Sequence, residues 1–164
     1  MTSTYHAKNT ACTALLFAAI ILFPHPVMAD TMTNIDKAHD TCLESGIVDD
    51  PTFQRCSGEN IEQLQRLNRA MVEELKLKYS PEKDESSFIV EHKKAALSHI
   101  QKEQEAWEAY EKLACNNLAD SLIYGTAGQN IFAPDCHSRV IKQRIQTIHE
   151  ELCAGGGEST KYCK

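Results

Sequence analysis

The chain has 164 residues, with 17 basic against 23 acidic side chains and a formal net charge of −6 at pH 7 with histidines neutral. That balance disfavours nucleic acid and anionic lipid surfaces as partners and favours basic ones. The length allows one domain built around a single modest core.

The N-terminus carries Lys8, an apolar run from Ala11 to Phe23, and a short segment ending Val27-Met28-Ala29. A basic start, an apolar stretch and a small-residue cleavage site describe a secretory signal. The apolar run has 13 residues, short of the roughly 20 that a membrane-spanning helix requires. Cys12 stands at the start of that run rather than after it, which argues against lipid attachment. Residues 1–29 are therefore expected to be cleaved, leaving an exported protein that starts at Asp30. Lys8 is the one charged residue removed, so the mature chain keeps 16 basic and 23 acidic residues and a net charge of −7.

From Asp30 onward the pattern is helical. Asn34 suits the N-cap of a short helix through Ile35, Ala38, Cys42 and Leu43, stopped by Gly46. Asp50-Pro51 reads as the start of a second helix. There Phe53, Ile61, Leu64, Leu67, Asn68, Met71, Leu75 and Tyr79 recur at spacings near three and four, one apolar stripe. Ser57-Gly58 is expected to fray or bend it, and Ser80-Pro81 closes it. Asn68 interrupts the stripe and reads as a buried hydrogen-bonding residue that fixes register.

Ser86 or Ser87 starts the third helix, with Ile89, Ala96, Ile100, Trp107, Tyr110, Ala114 and Leu118 predicted on its buried face. Glu103, Glu105, Glu108 and Glu111 are predicted on the solvated side. The segment Gly125-Thr126-Ala127-Gly128-Gln129-Asn130 is the least regular part of the domain. Pro134 then suits the first turn of a last helix bearing Cys136, Val140, Ile141, Ile145, Ile148 and Leu152. The fold class expected is all-α: a small antiparallel bundle of three to four helices over residues 30–152, stapled by disulfides. Residues 153–164 form a Gly-rich tail.

Six cysteines survive removal of the leader: Cys42, Cys56, Cys115, Cys136, Cys153 and Cys163. An even set in an oxidising compartment is expected to be disulfide-bonded, although six thiols allow fifteen connectivities. Sequence proximity favours Cys42–Cys56, Cys115–Cys136 and Cys153–Cys163. No C-x-x-C pair occurs, and His39, His137 and His149 are isolated in sequence, so neither a metal nor another cofactor is expected. Nothing resembles a nucleophile elbow, a phosphate loop or an apolar pocket for a paired acid and base, so no catalytic residue is assigned and no enzyme is expected.

The run Glu103-Gln104-Glu105-Ala106-Trp107-Glu108-Ala109-Tyr110, continuing to Cys115, resembles the signature of the LprI-type lysozyme-inhibitor-like family of small exported helical bacterial domains. The glycine-bearing loop, Cys136 and Arg144 follow in the same order. Upstream, Cys42, Cys56 and Leu67-Asn68 are similar to the opening part of the pattern. Two departures stand out: the family places arginine after the aromatic residue where this chain has Glu111 after Tyr110, and the Cys153–Cys163 tail lies outside the family pattern. The resemblance implies a periplasmic, or secreted, protein that binds and inhibits a lysozyme or a related peptidoglycan-cleaving enzyme. An immunity protein that neutralises a periplasm-targeted toxin, or a non-catalytic envelope interaction protein, uses the same interface physics. Gly125, Thr126, Gly128, Gln129 and Asn130 are the partner-binding residues expected, small and polar enough to enter a glycan-binding cleft.

Overall fold

The computed structural model describes residues 27–44, 50–121, 132–154 and 160–163. Four helices and no strand occur among them: α1 (Val27–Glu44), α2 (Asp50–Lys78), α3 (Ser87–Ser121) and α4 (Ala133–Cys153). None is long and apolar enough to cross a membrane.

The core forms where the stripe of α2 meets that of α4, the most extensive interface of the bundle. Leu64, Met71, Leu75, Ile141, Ile145, Ile148 and Leu152 are all but inaccessible to solvent. Ile35 of α1 and Ile100 of α3 close the cluster from either side. Side-chain links fix the helix directions. Asn60 meets Ser138 near the start of α2, and Lys78 reaches the end of α4, so these two helices run parallel. The pairs Cys115–Cys136, Glu111–His137 and Glu103–Arg144 step along α3 and α4 in opposite senses, so α3 is antiparallel to α4. Successive helices thus alternate in direction, as short connections require.

Three disulfides staple this frame. Cys42–Cys56 joins α1 to α2, Cys115–Cys136 joins α3 to α4, and Cys153–Cys163 returns the tail to the end of α4. Their Cα separations of 5.8, 5.5 and 5.5 Å sit within the usual range for the bond. Of the fifteen connectivities, the structure adopts the one that joins sequence neighbours.

Polar devices finish the ends. Lys78 Nζ donates to the backbone carbonyls of Glu151, Leu152 and Ala154 at 2.8, 3.1 and 3.2 Å. A cation there satisfies carbonyls that the helix itself leaves unpaired and opposes the negative end of its dipole. At the α2–α3 turn, the Lys93 ammonium beside Glu85 holds that carboxyl below its ordinary value, and the Glu82 amide assists.

Several expectations change. α1 begins at Val27, seven residues before Asn34, so Asn34 lies inside the helix and caps nothing. Ile35 anchors it in the core, and Asp30 sits in its first turn where an acidic group is favoured. Ile89, predicted on a buried face, is exposed, as is Phe88. The cause is length. Counting back from the Cys115–Cys136 staple, the last residue of α4 stands level with Ser98, so the first turns of the 35-residue α3 outrun the 21-residue α4. The tail is also more than a closed loop: Tyr162 is buried in the core cluster, its carbonyl accepting from His149 Nε2 at 3.1 Å.

Gly58 neither starts nor ends a helix, because α2 runs continuously from Asp50 to Lys78. It is exposed, and a Cβ built on it meets no atom within 4 Å. Gly58→Ala is therefore expected to stabilise the domain by about 1 kcal/mol, the helix-propensity difference. Urea unfolding checks this, and a lower midpoint would show that the glycine relieves a strain.

Candidate functional site

The loop end of the α3–α4 hairpin gathers most of the residues singled out by the family-like pattern. On α3 the buried line runs through Ile100, Trp107, Glu111 and Cys115, not through Tyr110. Cys115 is fully buried in its bond to Cys136, and residues four and eight positions before it share its face. Glu111 and Trp107 occupy those positions. Tyr110 and Leu113, three apart on a different face, are left 60% and 64% exposed. Two predictions are corrected here: Tyr110 is not core, and Glu111 is not solvated. Trp107 is partly buried and packs against the core.

Glu111 is 3% exposed, and a group so placed needs a partner. His137, one residue beyond Cys136, supplies it: His137 Nδ1–H donates to Glu111 Oε1 in a close contact. His137 is thus not isolated, because the staple brings the first turn of α4 against the last third of α3. Glu111, the residue that follows Tyr110, is thus the acceptor in a contact between α3 and α4. A second inter-helix pair lies two turns back, where the buried Arg144 donates from Nη1 to Glu103 Oε1 at 2.6 Å. Arg144 Nε has no acceptor among the described residues.

Trp107 is the wall between two clefts. One, of about 250 Å³, lies between α3 and α4 and is lined by Tyr110, Val140, Gln143, Arg144 and Thr147 as well. The other, of about 160 Å³, lies toward α2, with Gln65, Asn68, Arg69, Glu108, Glu111 and Lys112. Asn68 is 2% exposed, as predicted for a buried polar residue, but its Oδ1 accepts no hydrogen bond from the described residues. It sits at the margin of the second cleft and not within a closed network.

Gly125, Thr126, Gly128, Gln129 and Asn130 lie outside the described residues. Their anchors are described. The segment leaves α3 after Ser121 and enters α4 at Phe132, with the Cys115–Cys136 bond closing it from below. Among the described residues no three His, Cys, Asp or Glu side chains are grouped to hold a metal ion.

The inter-helix pairs were missed from sequence. Glu111 carried a usable signal, since it stands four residues before Cys115 and four after Trp107. Arg144 with Glu103 carried none, because a cross-helix contact depends on the phase of two helices at once.

Among the described residues the chain is a disulfide-stapled all-α bundle with Tyr110 and Leu113 exposed on α3. The family model described as lysozyme inhibitor LprI matches residues 48–148. The chain belongs to that family. No curated protein and no solved structure shows significant similarity to it.

Proposed function

We propose that this chain is exported, oxidised and inhibits a lysozyme or related peptidoglycan-cleaving enzyme by docking the loop end of the α3–α4 hairpin onto it. Family membership over residues 48–148 carries the proposal, and that span includes Trp107, both cysteines of the α3–α4 staple and Arg144. Physical chemistry supports it in three ways. An acidic chain of net charge −6, or −7 without its leader, attracts the basic surface common among lysozymes and speeds association. The Cys115–Cys136 bond limits the freedom that residues 122–131 lose on docking. Tyr110 and Leu113 add large apolar side chains five and two residues before Cys115 of the staple, and tyrosine is a frequent energetic anchor at interfaces.

Titrating oxidised protein, residues 30–164, into a cell-wall lysis assay tests the proposal. A dose-dependent fall in lysis is expected, and full lysis at a large excess of protein would overturn it. Within that assay, Tyr110→Ala combined with Leu113→Ala is expected to weaken inhibition about tenfold, the loss of roughly 1.4 kcal/mol of interface energy. Both side chains are mostly exposed, so the unfolding midpoint should stay put. Unchanged inhibition by the pair would place the interface elsewhere.

A further inference from the structure

The structure holds a second candidate binding site on the side of the bundle away from α3, a cavity of about 370 Å³ bounded by α1, α2 and the start of α4. We propose that it binds a neutral N-acylated small molecule, with N-acetylated amino sugars as the class that fits its chemistry.

Asn60 carries the inference. It lines the cavity and is only 3% exposed. Its Oδ1 accepts from Ser138 Oγ at 2.9 Å, while its Nδ2 has no acceptor among the described residues. A buried amide donor without an acceptor is costly, and a ligand carbonyl that reaches it recovers that cost. The acyl carbonyl of the ligand is placed there.

The remaining walls set the rest of the ligand. Phe53, Phe132 and Pro134 offer apolar faces, and Phe132 is half exposed at the margin. Flat apolar walls with a few polar groups are the usual composition of a small-molecule site, and the volume falls in the range of about 300–1,000 Å³ that such sites span. A sugar ring with its C–H face on Phe132 and an acyl methyl against Phe53 meets both demands. Charge selects against an acid. Lys142 is already engaged by Asp36 Oδ1 at 2.6 Å, and Asp135 adds another carboxylate to the lining, so an anionic ligand gains no unpaired cation among the described residues. The site is also held ready. His39 of α1 and Ser57 of α2 line it, with His39 Nε2 and Ser57 Oγ 3.5 Å apart, and the Cys42–Cys56 bond fixes those two helices one turn away. Walls fixed before binding lower the entropy lost when a ligand enters.

The cavity adjoins the proposed docking end at Phe132, Pro134 and Asp135 but shares neither Tyr110 nor Leu113, the α3 side chains that the lysis assay tests, so either assignment can fail alone. Two-dimensional amide NMR of the oxidised protein, titrated with N-acetylglucosamine, tests it, with glucose as the control that lacks the acyl group. Saturable shifts are expected at His39, Asn60, Phe132 and Ser138, with glucose at least about tenfold weaker. Asn60→Asp keeps the acceptor for Ser138 and replaces the donor, and it should weaken binding about tenfold or more. Phe132→Ala alters a half-exposed side chain and keeps the test valid if the Asn60 variant does not fold; it should weaken binding several-fold. Absence of saturable shifts up to about 50 mM sugar, equal responses to both sugars, or unchanged binding by folded variants would each overturn the proposal.

Discussion

Replacing Cys115 and Cys136 together by alanine is expected to lower the unfolding free energy by about 3 kcal/mol and the melting temperature by roughly 10 °C. The bond closes 21 residues of chain, and a crosslink of that span removes loop-closure entropy from the unfolded state on that scale. Cys115 is fully buried and Cys136 nearly so, so the substitution also leaves some unfilled volume in the hairpin. The consequence reaches function. Without the bond, the ends of α3 and α4 that flank residues 122–131 are held by helix packing alone, and the proposed inhibition of lysozyme should weaken by about tenfold, because binding must then fix more of the chain. Thermal unfolding and the lysis assay read the two effects separately. A variant with the parental midpoint would mean that packing of α3 on α4 already imposes the constraint.

His137→Ala is expected to cost about 2–3 kcal/mol, although the side chain removed lies near the surface. The loss falls on its partner. Glu111, 3% exposed, would keep a buried carboxyl group with no donor in the described structure. Leaving a buried polar group unsatisfied costs more than the hydrogen bond itself contributed. Removing both groups, with Glu111→Leu added to His137→Ala, should recover most of the loss, since an apolar pair needs no partner. Urea unfolding of the two single variants and the double one measures the coupling directly. Strictly additive losses would show that the two side chains touch without depending on each other.

The sequence disclosed the scaffold more readily than the surface, for reasons visible in single residues. The stripe of α2 was legible because its apolar positions repeat over seven turns, and Leu64, Met71 and Leu75 lie buried where the spacing put them. Pro134 marked the first turn of α4, and the nearest-neighbour cysteine pairing matches the bonds of the fold. The phase of α3 was not legible from apolar residues alone. Tyr110 and Glu111 are adjacent, and both stand three or four residues from Trp107, so periodicity favoured the aromatic residue. Cys115 decides between them, because its bond to Cys136 turns the face containing Glu111 inward. Once that phase is fixed, Tyr110 and Leu113 must point away from the core, and they become the exposed apolar pair of the candidate interface. Tyr162 escaped notice for another reason. It follows a run of glycines that carries no pattern, and only the return of Cys163 to Cys153 brings it onto the core.

These features assemble into one physical account. Disulfides hold a small helical frame, the α3–α4 staple lies beside two exposed apolar side chains, and on the proposed function the net negative charge draws a basic enzyme. Amide hydrogen exchange of the oxidised protein, with and without a saturating basic lysozyme, tests the central claim most directly. Protection gained across the end of α3, residues 122–131 and the first turn of α4 is the expected result. Protection confined to the α2–α3 turn around Glu85 and Lys93, or gained nowhere, would contradict it.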